Sequence, residues 1–413
     1  MVSGQLRAGA ARAEIGLDGA LPLNGFGFVH DPLFVRALVL DDAARVVLVL
    51  IDQTSLIPEV IAEVKSIASR LAGVPPEAVL VIATHTFSAP HVLPAQHVSP
   101  GEVAARARLA DAISAAVKQS VAEAIAALRP ARVRAGCGLS RVGVNRDVAT
   151  PNGWWLGANP GGVTDPVVPV VVFDDAAGRT IAVVASVAVQ SSVTSELTNA
   201  AGVRPVSSDL AGAAASKLEA GGGVALVFTG AAGDQAPAFE PNDAFQQLDR
   251  LGAQLGADLC QAVVAAQPIS VGPIRLDRSS IVLDAQVIPG DIHDIVPSRH
   301  YVFAADGTVA APWVSLSLGQ VVFVGVQPEL SATTGIALRG ASPFAHTLVM
   351  ALTDGGAKYM ADAGAYDRIT YEAMNSKYAR GSAERFADAI TARLRVLHDQ
   401  AGLAADQSVK QKD

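Results

Sequence analysis

Val79-Leu80-Val81-Ile82-Ala83-Thr84-His85-Thr86-Phe87-Ser88-Ala89-Pro90 is an apolar run that stops at a histidine set among hydroxyls. Strands buried on both faces of a parallel sheet read as near-continuous apolar runs, so Val79–Ala83 is expected to be one. Open α/β sheets bind ligands outside the carboxyl ends of their strands. His85 stands at such an end. A lone histidine there is more often a structural group than a functional one, so the case for it rests on the other strand ends.

Working outward, Leu33–Leu40 and Val46–Ile51 flank the turn Asp41-Asp42-Ala43-Ala44 and read as a hairpin. Pro58–Leu71 reads as a helix, with Val60, Val64, Ile67 and Leu71 on one face, Pro58 near its start and Gly73 past its end. Strand, helix and Val79–Ala83 then make a βαβ unit. Leu109, Ile113, Val117, Val121, Ile125 and Leu128 repeat at helical spacing along Val103–Leu128. Residues 147–166 are rich in Gly, Pro and Asn and read as a loop, in which Trp154 and Trp155 are candidate pocket walls. Val167–Phe173, Ile181–Val189 and Val224–Thr229 read as strands, and Asp209 reads as the cap of a helix over Leu210–Ala220. The Gly-rich turn Gly230–Pro237 lacks a P-loop lysine and is not a nucleotide site.

From about residue 270 the pattern turns β-rich, with Ile274–Leu283, Val314–Leu318 and Val321–Val326. Asp354–Arg380 reads as a loop holding Tyr359, Tyr366, Tyr371 and Tyr378, four of the five tyrosines. Ser382–Leu397 is the last expected helix, and 401–413 a polar, flexible tail. No internal repeat is legible. The expectation is an α/β fold of mixed β-sheets layered with helices, as a single domain over 1–400.

Composition narrows the partners. Of 413 residues 50% are apolar, and the net charge is −8 with no basic block. Nucleic acid is therefore not an expected partner, nor is anionic lipid. No apolar window reaches the length of a membrane span. Cys137 and Cys260 stand far apart and form no disulfide framework, and the first residues show no apolar signal segment, so a cytoplasmic setting and a small-molecule substrate are expected. Oligomeric state is not legible.

Asp52, His85, Gln190, Asp234 and Glu329 all follow apolar strands. A catalytic zinc needs three nitrogen or oxygen ligands and an open position for water. His85 and Glu329 suit that role, and spacing alone does not choose the third. Several stretches then matter in their order: Ala8-Gly9-Ala10-Ala11-Arg12, His30–Leu40, Ala83–Pro90, Gly143-Val144-Asn145-Arg146, Asn159–Pro166, Ser208-Asp209, Gly230–Asp234, and Tyr359 with Tyr366 and Tyr371-Glu372. In this order, over roughly 7–380, the chain resembles the neutral/alkaline ceramidase family, above all its short bacterial members. The resemblance implies a ceramidase catalytic-domain-like fold and an amidase site. It places zinc ligands at His85, Gln190, Glu329 and Tyr359, and catalytic groups at His85, Glu329, Tyr359 and Tyr371. Arg146 matches a pocket-lining residue, and Phe87, Gln190, Trp154 and Trp155 complete the substrate-binding set.

The departures are specific. Gln190 replaces a family histidine, and an amide oxygen is a far weaker zinc ligand than imidazole. Phe87 replaces the second histidine of H-T-H-S, and Ala236 the serine of G-D-x-S-P. His91 or His97 would have to move in to rebuild a zinc set. The expected function is an amide or ester hydrolase, or an acyl transferase, on a small cytoplasmic substrate, with Zn2+ as the implied cofactor. The alternatives are a metal-free cyclase or isomerase of specialised metabolism, and a non-catalytic pseudoenzyme.

Overall fold

The apolar runs pair into three large sheets that follow one plan. The computed structural model describes residues 5–238 and 243–410, the last ten by backbone alone. In the first sheet Arg7–Glu14 (β1), Phe34–Asp41 (β2) and Arg45–Ile51 (β3) run antiparallel. The helix Pro58–Ala72 (α1) crosses over, Val79–Ala83 (β4) joins parallel to β3, and the helix Val103–Ala126 (α2) follows. The second sheet begins with Arg132–Leu139 (β5). A hairpin, Gly143–Thr150 (β6) and Gly153–Asn159 (β7), belongs to a separate small sheet. Val167–Asp174 (β8), Thr180–Val187 (β9), the helix Asp209–Glu219 (α3), Val224–Thr229 (β10) and the helix Ala244–Ala265 (α4) complete the second unit.

The third unit holds Arg275–Gln286 (β11), Ala305–Leu318 (β12), Val321–Val326 (β13) and the short Glu329–Leu330 (β14). The helix Ala332–Ala341 (α5) and the strand His346–Met350 (β15) follow, with β15 parallel to β13. Then come Tyr359–Met360 (β16), the short helices Ala363–Arg368 (α6) and Tyr371–Met374 (α7), and the long helix Ser382–Lys410 (α8). The strand orders β4-β3-β2-β1, β10-β9-β8-β5 and β15-β13-β12-β11 are the same order read three times. The repeat missed in the sequence is one of topology, and what recurs is the succession of elements rather than residue identity.

Period-two alternation gives each sheet two buried faces along its central strands, while β11 and the first half of β12 stay largely open to solvent. In the first sheet Val35, Ala37, Val39, Val47 and Val49 face α1 and α2, while Leu38, Leu40, Val46 and Leu48 face the other way. That second core is shared. Phe173, Val184, Leu226 and Phe228 enter it from the second sheet, and Val314, Leu316, Phe323 and Met350 from the third. The helices α3 and α4 cover the far side of the second sheet, and α8 covers the third.

The parallel strands end close together. Ala351 donates its N–H to Thr229 O at 2.9 Å, and Thr229 Oγ1 donates to Thr84 O at 3.0 Å. Loops after each unit's last two strands therefore meet at one end of the shared core. A further device links the units in sequence. Arg129–Pro130, just ahead of β5, pairs with β1, and Gln267–Pro268, just ahead of β11, pairs with β5.

Some local expectations change. Trp154 and Trp155 lie on β7 rather than in a loop, because their hairpin partner β6 supplies a ladder. The Asp354–Arg380 stretch contains β16, α6 and α7. The last helix runs through 410, so the polar residues 401–410 extend it instead of forming a tail, and 411–413 lie outside the described residues. Asp209 does not act mainly as a helix cap. It has φ of 51° and its carboxylate accepts from Val193 N at 3.0 Å and Thr194 N at 2.8 Å, fixing the loop after β9. Among the described residues no helix is long and apolar enough to cross a membrane.

Because Phe228 sits in the shared core at 0% exposure, Phe228→Ala is expected to lower the unfolding free energy by about 3–5 kcal/mol in urea titration. Val302→Ala, at a side chain 86% exposed, should stay within about 0.5 kcal/mol of the parent in the same assay.

Candidate active site

His85 leaves β4 in the left-handed region, with φ of 63°. A non-glycine residue there is strained, and such strain persists only where surrounding contacts over-determine it. Here they do. The His85 N–H donates to Gln53 O at 2.9 Å, and Nδ1 lies 2.7 Å from Thr54 O. A carbonyl only accepts, so Nδ1 carries a proton and the tautomer is set. Nε2 then faces Glu329 Oε2 at 3.0 Å, close enough for an ion pair but off the line of a hydrogen bond. The ring packs edge-on against Phe87, with centroids 4.6 Å apart.

Glu329 reaches this place because β14 pairs in parallel with β16, which sets Glu329 beside Tyr359. Its Oε2 accepts from Gln190 Nε2 at 2.6 Å. Gln190 Oε1 in turn accepts from Arg146 Nη1 at 2.7 Å. Arg146 comes from β6, and its Nε donates to Glu372 Oε1 at 2.7 Å. Its guanidinium carbon lies 5.2 Å from the Tyr359 ring centre and 5.8 Å from that of Tyr371. Tyr359 and Tyr371 meet edge-on at 5.8 Å, and Trp155 meets Tyr371 edge-on at 5.6 Å.

So the structure gathers His85, Phe87, Arg146, Trp155, Gln190, Glu329, Tyr359 and Tyr371 into one connected cluster. Trp154 points elsewhere, under the Arg368 guanidinium at 5.4 Å. His91 lies edge-on to Phe26 at 6.4 Å and His97 is exposed, so neither stands in for the missing family histidine. Asp52 is taken by Arg36 at 3.3 Å and by Phe34 N at 2.8 Å. Asp234 is taken by Ala332 N at 2.8 Å and Asn145 Nδ2 at 3.1 Å. Sequence reasoning missed Asp147, Glu372 and the Thr54 carbonyl as parts of the cluster. The Tyr371-Glu372 match pointed to the neighbourhood, but nothing local in the chain marks Asp147.

Burial works against every charge here, and partners decide the outcome. Burial alone would pull the His85 pKa down, but the Glu329 carboxylate outweighs it and the value is raised above 6.5. Burial would push Glu329 up, but His85, Arg146 and Gln190 hold it below 4.5. Burial raises the Tyr359 phenol far above its ordinary range, against the pull of Arg146, so it stays protonated. Burial likewise raises Tyr371.

The donor set fits a zinc ion poorly. Zinc wants nitrogen or oxygen lone pairs aimed at one point. Gln190 turns its N–H toward Glu329 and spends its oxygen on Arg146; reversing the amide would set like groups against both partners. A guanidinium stands in the same shell. Among the described residues no group of three His, Cys, Asp or Glu side chains is placed to hold a metal.

With the fold and this cluster in view, comparison with solved structures finds neutral ceramidase from Pseudomonas aeruginosa. The TM-score is 0.77 at 19% identity, covering 96% of this chain and 75% of that one. This is the ceramidase fold. A structure described as ceramidase complexed with C2 gives a TM-score of 0.73 at 19% identity, covering 98% of this chain and 76% of that one. No family model matches the chain, and no curated protein does. The ceramidase-like architecture accounts for the three sheets and their helices, as the resemblance implied.

The two shifts fix how stability responds to pH. The raised His85 value contributes stability in full below 6.5 and loses it as pH rises through the folded value. The depressed Glu329 value contributes above 4.5 and loses it as pH falls through the folded value. Urea unfolding across pH should therefore show the pair's contribution at its greatest between those limits. In Glu329→Gln both limbs should flatten, and the His85 imidazole should titrate below 6.5 by proton NMR.

Proposed function

We propose that this protein catalyses acyl transfer, as an amide or ester hydrolase or an acyl transferase on a small molecule, by acid–base chemistry that does not depend on zinc. The observation that carries the reading is the direct His85–Glu329 pair at 3.0 Å, flanked by Arg146 and two protonated phenols. Glu329 is held as a carboxylate and serves as the base that takes a proton from water or another acceptor hydroxyl. Arg146 and the Tyr359 phenol stabilise the oxyanion that forms as the nucleophile adds to the carbonyl. Protonated His85 delivers its Nε2 proton to the departing nitrogen or oxygen as the acyl bond breaks. A proton then returns from Glu329 to His85 across the short gap between them, and the resting pair is restored.

A cleft of about 710 Å3 lies on the second unit, near the cluster in sequence though none of the cluster's residues lines it. Val193, Leu197, Ala236 and Pro237 line it, and its Ser192 and Gly157 lie two residues from Gln190 and Trp155. It suits a substrate with an apolar portion. The same pair also suits proton transfer without loss of an acyl group, which is the cyclase or isomerase alternative, since neither group is committed to a metal.

On a panel of small N-acyl amides and esters, His85→Ala and Glu329→Gln are each expected to lower kcat/KM by about 10²–10⁴-fold. Purified protein should carry well under one zinc per chain, and turnover should persist in chelator. Stoichiometric zinc with activity lost to chelator would overturn the metal-free reading. Full turnover in both variants would overturn the roles given to the pair. Gln190→His should raise zinc retention by supplying the imidazole that the donor set lacks.

A further inference from the structure

Behind Arg146, on the side away from Gln190, two carboxyl groups are buried together. Asp147 follows Arg146 on β6 and is 3% exposed, and Glu372 on α7 is 3% exposed. Their side chains are in hydrogen-bond contact. Glu372 Oε1 is used by Arg146, with Nε and Nη2 both 2.7 Å away. Glu372 Oε2 is buried and has no hydrogen-bond partner among the described groups that ordinarily donate. Two carboxylates in contact away from water cannot both ionise at ordinary cost, and an acceptor oxygen without a donor is itself unfavourable. One proton answers both problems.

We propose that Asp147 and Glu372 form a one-proton carboxyl pair that positions Arg146. Asp147 keeps the proton and donates it to the free oxygen of Glu372, so that Arg146 meets one negative charge instead of two. The other charged groups facing the pair are Arg368 of α6, 3.3 Å from Asp147 Oδ2, and buried Asp234, whose carbonyl accepts the Arg146 N–H at 2.9 Å. Tyr371 adjoins Glu372 in sequence and faces Arg146. With the proton in place, Arg146 and protonated His85 are balanced by Glu372 and Glu329, and the guanidinium keeps its pull on a bound carbonyl oxygen. Loss of the proton adds a second carboxylate behind Arg146 and weakens that pull. Burial, with Glu372 and Asp234 as like charges, moves the Asp147 proton up to about 8, which puts the switch just above neutrality.

The pair itself does not depend on the acyl-transfer reading; only its effect on turnover does. Infrared difference spectra of the intact protein, titrated from neutral to alkaline pH, test it without substrate. A protonated-carboxyl band should be lost in a step near pH 8 that Asp147→Asn removes, which separates it from any Asp234 step near pH 6 and from the raised carboxyls of Asp52 and Asp209. That step's band should be missing in Asp147→Asn, and the step should move to lower pH in Glu372→Gln, where the like charge is gone. Absence of any carboxyl step near pH 8 from the wild type would overturn the proposal whether or not either variant folds. With an acyl substrate, kcat/KM should fall through the same alkaline step, and in Asp147→Asn that fall should disappear. Persistence of the fall in Asp147→Asn would overturn the positioning role. No turnover on any acyl substrate, with the infrared step present, would count against the acyl-transfer reading and leave the carboxyl pair standing.

Discussion

A charge taken out of water has to find its counter-charge inside the protein, and here the answers form one chain. It runs from the Thr54 carbonyl through His85, Glu329, Gln190 and Arg146 to Glu372. Its members come from all three units of the fold. His85 arrives from the first, Gln190 and Arg146 from the second, Glu329 and Glu372 from the third. The chain therefore closes only if the three sheets meet in register around their shared core. Removing one partner of a buried ion pair strands the other, at a cost of about 3–5 kcal/mol, so the cluster is also part of what holds the three units together.

The units were legible one strand at a time. Val79–Ala83 is buried throughout, as its unbroken apolar run requires, and His85 stands where the run ends. Gln190 and Glu329 were singled out by the same logic, and Tyr359 by the family resemblance alone. The threefold plan was not legible, because a repeat of topology leaves no matching residues to see. Trp154 and Trp155 were misplaced for a related reason: glycine and proline around them masked a ladder supplied from the preceding strand. Asp147 carried no signal at all. It follows an arginine on an ordinary strand, and its partner lies 225 residues on, at Glu372.

Gln190 changes what this end of a ceramidase-like fold can do. A primary amide carries a donor and an acceptor on the same carbon. That makes it a bridge between a carboxylate and a guanidinium, and both of its groups are spent in that bridge. Gln190 thereby ties Arg146 to Glu329, and Glu329 faces His85 directly. Phe87 sets an apolar ring edge-on to the His85 imidazole, with no polar atom to offer it.

The two short pairings that hand one sheet on to the next also have an end. The outer strand of the first sheet is paired by Arg129–Pro130, and that of the second by Gln267–Pro268. In the third sheet β11 is the outermost strand, and only its last residues are paired from outside: Ala379 donates its N–H to Asp284 O at 2.9 Å and Gln286 donates its N–H to Lys377 O at 3.0 Å. A strand edge left open is a template on which a second chain could add. Ionic side chains stand along β11. Asp277 binds Arg393, Arg278 binds Asp354 at 2.7 Å, and Asp284 binds Arg385 at 2.9 Å. A strand laid alongside would have to displace or bury those charges, which guards the rest of the edge against sheet-to-sheet aggregation.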